Sequence, residues 1–555
     1  KLYKGKVMKL YAEEILQKLS LKEKLAQLMM IDFTFFGEKE GAKCAFEVMN
    51  VEVEKLLQEY PVGALALFAT NCKSNDKTFQ LVRDIQNTHW VPKFIGIDQE
   101  GGIVYRLKEG SKTPGNMALG RKDDTMLTKK MSEIMSLELS TLGINLNFAP
   151  TVDVNSNPKN PIIGVRSFSE SPEVVTRHAL AYIEGMRTHG VLSCAKHFPG
   201  HGNTVLDSHL GTTYSENTLN EIENVDFPPF KACIENGVEM IMTAHIVAKE
   251  LDSNTIYSKK LNKYIETPAT LSKKILTDIL RNELGFKGII LTDALVMKAI
   301  EDNFSPVESS KIAICAGADM VVMPLKISST EEIEIFKNYF NELYQAALKD
   351  KEFLERIENS CRRLINKKIL SLSEGFDAID NEVKKREQYA LMKKNVGSDV
   401  HQNYCLKIAK ELVLYHGKGI AKFEVRGKNI LVLAQKKMLL ETSQNFLEKN
   451  GAFVTSQLCE YNAPIHVEQG RYDAILVITY NLTHNDHYIN SYIAEHTQSE
   501  SNVVVISSKN PYDCKYLKDA PHIVECFGVS GFDQTNEMIT IFTTNFLGAL
   551  SYYFQ

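Results

Sequence analysis

Short apolar, β-branched runs recur through the first two thirds of this chain, and a stretch of helical period separates each from the next. Eight such runs stand out: Leu28–Phe33, Gly63–Phe68, Lys93–Gln99, Ile144–Pro150, Val191–Phe198, Met240–His245, Gly288–Ala294 and Asp319–Pro324. Between two of them, Pro172–His189 sets Val174, Val175, His178, Ala179, Tyr182, Ile183 and Met186 on one face of a helix and leaves Glu184 as a solvated or bracing charge. Eight strand-then-helix units within about 330 residues predict a (β/α)8 barrel better than an open sheet of that length.

A second rhythm follows. From Glu352 to Lys410 the chain is charged and of helical composition, including Glu382–Glu387, and reads as a solvated connector. Apolar runs then return at Asn429–Ala434, Ala452–Ser456, Ala474–Tyr480, Asn502–Ser508 and His522–Phe527, alternating with helical stretches. That pattern predicts a mainly parallel sheet with helices on both faces. The expected organisation is a catalytic barrel over 1–350, a helical connector over 351–410 and a smaller C-terminal α/β sandwich domain over 411–555. After its first strand comes Leu433-Ala434-Gln435-Lys436-Lys437, which lacks a glycine-rich phosphate loop, so no nucleotide is assigned.

Composition narrows the partners. In 555 residues, 64 basic and 69 acidic side chains give a formal net charge of −5 with no basic stripe, which argues against nucleic acid. No apolar run approaches the roughly 20 residues of a membrane span, and Lys1–Lys6 lacks the apolar stretch of a signal peptide. The ten cysteines form no C-x-x-C pair, and Cys194, Cys315 and Cys526 sit in apolar runs as reduced thiols would. The expectation is a cytoplasmic protein without an obligatory protein partner, or an exported or surface-attached one if a leader has been removed.

Barrels of this kind place their chemistry on the loops that follow the strands. Polar residues gather there: Asp98 at the end of the third run, Asp153 after the fourth, Lys196 and His197 at the end of the fifth, His245 at the sixth and Asp293 at the seventh. The richest stretch is Lys196–His209, with His197, His201, Asp207 and His209 on a loop made pliable by Gly200 and Gly202. Its spacing fits no usual zinc signature, and Lys196 would oppose a metal ion. Histidines bonded to loop carbonyls are a second reading. A third pairs Asp207 with His209, the carboxylate orienting the ring so that its other nitrogen exchanges protons. A retaining glycosidase needs such a group and a carboxylate nucleophile, which Asp293 can supply.

These stretches, with Thr243-Ala244-His245 and Thr292-Asp293-Ala294, resemble the N-acetylglucosaminidase branch of glycoside hydrolase family 3. Gly96–Gly102, Asn147–Val154 and Gly164–Phe168 carry the resemblance across the barrel, and Asn502–Asp513 extends it to the sandwich domain of two-domain members. The resemblance implies Asp293 as nucleophile and His209, backed by Asp207, as acid/base, with no metal or organic cofactor. It also implies Asp98, Arg166, Lys196 and His197 as sugar contacts and Arg106 and Asp153 as supports or further ligands; His245 reads either as a structural residue or as a further binder.

The expected substrate is a terminal β-linked N-acetylglucosaminide, from peptidoglycan fragments or chitin oligosaccharides. Gln99 stands where histidine or arginine is also common, and an arginine that often follows the Gly101-Gly102 pair is absent, so recognition beyond the first sugar can differ. Transfer to phosphate in place of water, a β-glucosidase, metal-dependent hydrolysis and a non-catalytic sugar-binding protein are the alternatives.

Overall fold

The computed structural model describes residues 11–204, 211–372, 382–417 and 423–459, then 465, 472–480, 482, 487–497, 502–508, 511–517, 520–526, 549–550 and 554. Two compact units divide the chain. One comprises Lys1–Glu100, Arg106–Ser111 and Thr128–Ser398, the other Gly101–Tyr105, Lys112–Leu127 and Asp399–Gln555.

The first unit is a closed (β/α)8 barrel. Its strands are β1 (Met29–Asp32), β2 (Ala64–Leu67), β3 (Phe94–Ile97), β4 (Leu146–Asn147), β5 (Leu192–Phe198), β6 (Met240–Thr243), β7 (Ile289–Ala294) and β8 (Met320–Val322). Every neighbour runs parallel, and β1 closes the ring by pairing Met30 with Ala64 of β2 and Met29 with Val321 of β8. All eight expected runs contain a strand. They read as unbroken apolar stretches because both faces are covered: β1, β2 and β3 are buried at every residue.

Local signals start the helices. Ser20 and Glu23 form a reciprocal capping box ahead of Leu21–Gln27. Ser171 caps Pro172–Arg187, whose buried face contains Val175, His178, Ala179, Tyr182, Ile183 and Met186. Glu184 points outward and pairs with Lys129 at 2.5 Å.

The expected connector contains two different kinds of segment. Helix Lys351–Ser371 is not solvated all round, since it buries Phe353, Ile357, Cys361, Leu364, Ile365 and Ile369 along one stripe. Glu382–Asn395 belongs to the same unit, whereas Asp399–Glu411 belongs to the second.

In the second unit a six-stranded sheet is built from β9 (Leu414–Gly417), β10 (Asn429–Ala434), β11 (Phe453–Leu458), β12 (Ala474–Thr479), β13 (Asn502–Ser507) and β14 (His522–Glu525). The order is β9-β14-β13-β12-β10-β11, parallel except for β9, an antiparallel edge strand that the sequence pattern did not predict. Alternate residues serve opposite faces: Ile430, Val432 and Ala434 pack with Leu439 and Leu447 of helix Lys437–Lys449, while Leu431 and Leu433 pack with Ile489 and Ile493 of helix His487–Thr497. Among the described residues, no helix is long and apolar enough to cross a membrane.

Candidate active site

At the C-terminal ends of the barrel strands, five charged side chains form a chain of alternating sign. Arg106 lies 3.8 Å from Asp98, Asp98 accepts from Lys196 Nζ at 2.7 Å, and Lys196 also meets Glu100 at 2.7 Å. Glu100 in turn takes both Nε and Nη2 of Arg166, at 3.0 and 2.7 Å. Burial opposes the charge on Glu100, yet Arg166 and Lys196 hold its carboxyl well below the usual range. Burial likewise opposes the charge on Lys196, but Asp98 and Glu100 raise its pKa. Glu100 and Lys196 therefore stay ionised although hidden at 1% and 2% exposure, and the Asp98 side chain beside them is 25% open.

Four of the expected sugar contacts and supports, Asp98, Arg106, Arg166 and Lys196, are thus brought together, and Glu100, which joins them, was missed. Its signal was the second carboxylate in Asp98-Gln99-Glu100. Sequence alone does not say which of two neighbouring acids turns inward.

Asp153 is a brace. Only 1% exposed, it accepts the His197 ring nitrogen Nδ1 at 2.7 Å, the His197 amide at 3.2 Å and the His201 amide at 2.7 Å. Burial works against its ionisation, and His197 and His201 more than offset that, lowering its pKa. The contact fixes His197 with a proton on Nδ1, so Nε2 is the acceptor of the neutral ring. His201 Nδ1 is engaged with Thr204 Oγ1 at 2.7 Å, and burial, aided by His197, pushes its pKa down to about 4.

The two loop glycines serve close approach rather than pliability. A Cβ on Gly202 would lie 1.6 Å from the Val154 carbonyl oxygen, and Gly200, at φ +134°, packs against the Asp226 carboxyl. Asp226 accepts from Asn217 Nδ2 at 2.7 Å, and Asn217 accepts from Asn203, which the sequence pattern did not foretell.

Asp293 occupies the half-buried end of β7, next to its last residue, and takes the Ala294 amide at 2.7 Å. Strands β5 and β7 both pair in parallel with β6, so Lys196 and Asp293 end neighbouring strands on the same rim of the barrel, the rim where Lys196 meets Asp98. His245 is held by protein groups, as its structural reading allows. It is 1% exposed, with Nε2–H donating to the Ala294 carbonyl and Nδ1 2.9 Å from Thr270 Oγ1, so both ring nitrogens are taken by protein. Asp207 and His209 lie outside the described residues. Among the described residues no three of His, Cys, Asp and Glu are placed to hold a metal ion.

A closed eight-stranded barrel with carboxylates, an arginine and a lysine at its strand ends defines a site for a polyhydroxylated ligand. Residues 20–367 match the glycosyl hydrolase family 3 N terminal domain, and the chain belongs to that family. It is 38% identical to a β-hexosaminidase A of Pseudoalteromonas piscicida over 362 residues, 62% of this chain and 60% of that protein's length. Against a β-hexosaminidase of Vibrio cholerae serotype O1 the identity is 35% over 288 residues, 51% of this chain and 82% of the relative. A solved family 3 β-N-acetylglucosaminidase from Paenibacillus sp. str. FPU-7 superposes with a TM-score of 0.72 at 25% identity, covering 95% of this chain and 97% of that one.

Proposed function

We propose that this chain is a retaining exo-β-N-acetylglucosaminidase that releases terminal β-linked N-acetylglucosamine from peptidoglycan fragments or chitin oligosaccharides. The observation that carries the reading is Asp293, a half-buried carboxylate at the end of β7, on the same rim of the barrel as the Asp98–Lys196–Glu100–Arg166 network. The β-hexosaminidase relatives support the choice of sugar.

In the proposed reaction the Asp293 carboxylate attacks the anomeric carbon as the glycosidic C–O bond breaks, and the His209 imidazolium gives its proton to the leaving oxygen. Neutral His209 then takes a proton from water, whose oxygen displaces Asp293 at the same carbon. Asp207 orients the ring and favours its charged form. Asp98, Lys196 and Arg166 are the groups available to bind the sugar's hydroxyls.

Chromogenic β-N-acetylglucosaminides with leaving groups of different acidity test the assignment. Asp293→Ala is expected to lose turnover with all of them. His209→Ala is expected to lose about 10²–10⁴-fold with a poor leaving group and much less with an activated one. An active Asp293→Ala, or a His209→Ala indifferent to leaving-group acidity, overturns the mechanism. Assaying free sugar against sugar 1-phosphate separates hydrolysis from transfer to phosphate.

A further inference from the structure

The backbone pairing that locates β7 stops short of its carboxylate. Pairing with β6 runs Ile289 to Met240, Ile290 to Ile241 and Leu291 to Met242, and then ends. Pairing with β8 is irregular between Leu291 and Ala294. Thr292 and Asp293 therefore sit in a gap of the ladder, where side chains must do what the strands do elsewhere.

On the β8 side, Thr292 Oγ1 accepts the Val322 amide at 2.9 Å. On the β6 side the link is His245, whose Nε2–H reaches the Ala294 carbonyl at 2.9 Å. The ring is itself anchored. Thr270 Oγ1 lies 2.9 Å from Nδ1, 2.8 Å from Thr243 Oγ1 and 2.9 Å from the Ala244 carbonyl oxygen, within reach of all three. Thr243, Thr270 and His245 are buried at 0–1% exposure, and the Ala294 peptide that they hold is half-buried.

We propose that His245 is a positioning residue for Asp293: it grips the peptide on the far side of the carboxylate and sets its approach to the anomeric carbon, without contacting the sugar. The inference rests on the reading of Asp293 as nucleophile. A nucleophile's effect depends on near-attack geometry, whereas sugar binding by Asp98, Lys196 and Arg166 does not pass through Ala294.

The experiment compares wild type with His245→Ala, His245→Gln, Thr270→Val and Asp293→Ala, using activated and unactivated aryl β-N-acetylglucosaminides and competitive inhibition by free N-acetylglucosamine. For His245→Ala, kcat/KM is expected to fall about 100-fold for both leaving groups alike. The inhibition constant is expected to stay within about threefold, since ground-state binding is untouched. Glutamine, whose amide can donate where Nε2 does, should recover about tenfold of the loss. Thr270→Val, which keeps the ring but loosens its anchor, should fall between, and it keeps the test readable if the alanine variant folds poorly.

An inhibition constant that rises in step with the loss of kcat/KM makes His245 a sugar contact and overturns the proposal, as does a His245→Ala enzyme with wild-type kcat. If Asp293→Ala remains active, the nucleophile assignment fails and the positioning role falls with it. If Asp293→Ala is inactive while His245→Ala is not, only the positioning role falls.

Discussion

The two ends of the barrel use the same chemistry in opposite ways. At the N-terminal end, Asp319, fully buried ahead of β8, takes Arg281 and Arg363 at 2.6 Å each, Ser360 Oγ at 2.9 Å and the Ile290 amide at 3.0 Å. A carboxylate has about four acceptor sites, so Asp319 keeps nothing for a ligand. At the C-terminal end, Asp98 has Lys196 at 2.7 Å and Arg106 only at 3.8 Å, and remains 25% exposed. A saturated carboxylate holds the strands together, and the unsaturated one beside cations keeps the acceptor capacity that the proposed sugar contact would use. How many acceptor sites remain separates the two roles, rather than the residue types.

The comparison can be broken from either side. Asp319→Ala leaves two arginines and a backbone amide without their acceptor, and the expected cost is about 3–5 kcal/mol of stability, read as a lower urea midpoint at unchanged slope. Its kinetic constants should match wild type wherever the variant is folded. A loss of kcat/KM without loss of stability would put Asp319 in the same role as Asp98. Asp98→Ala should behave inversely, with kcat/KM down about 100-fold, the worth of a charge-assisted hydrogen bond or two. Its stability should change by less than about 1 kcal/mol, because Lys196 retains Glu100.

Asp226 sharpens the contrast with a pH dependence. Burial raises its carboxyl from the ordinary 3.8 to about 7, with the Asn217 hydrogen bond opposing and Asp153 and Glu221 adding to the rise. A carboxyl raised on folding lends stability that is complete below 3.8 and lost as pH climbs through about 7. Asn at this position has no proton to lose. Asp226→Asn should therefore gain in melting temperature relative to wild type between about pH 5 and pH 8, and an unchanged difference across that range would rule out a neutral Asp226.

Much of the barrel could be read in advance because strands covered on both faces must be apolar throughout, and Leu65, Ile95 and Ile290 are buried whichever way they point. Amphipathic and edge elements were harder. Helix Lys351–Ser371 has enough lysine, arginine and glutamate on its outer side to read as solvated, and its stripe from Phe353 to Ile369 shows as a core face only once helix Leu21–Gln27 and its other neighbours are in place. Edge strand Leu414–Gly417 is four residues with no alternation to mark it. In the site, Asp98 and Lys196 stood out as charges ending apolar strands. Glu100 and Asp226 stood on loops and helix ends where an acid is ordinary, and only burial distinguishes them.

Hydrophobic period and the spacing of polar residues at strand ends were sufficient to predict the eight-stranded barrel and to place Asp98, Lys196, His197 and Asp293 at its mouth. Those are properties of neighbours along the chain. Which charges neutralise one another was decided by the closed sheet: it brings Lys196 to Asp98 across 98 residues and Arg166 to Glu100 across 66. Coulomb and hydrogen-bond energies depend on separations of a few ångströms and on the solvent excluded around them, and neither quantity exists until the ring of strands is closed. The same closure turned His245 from a polar residue near the mouth into a strut behind Asp293.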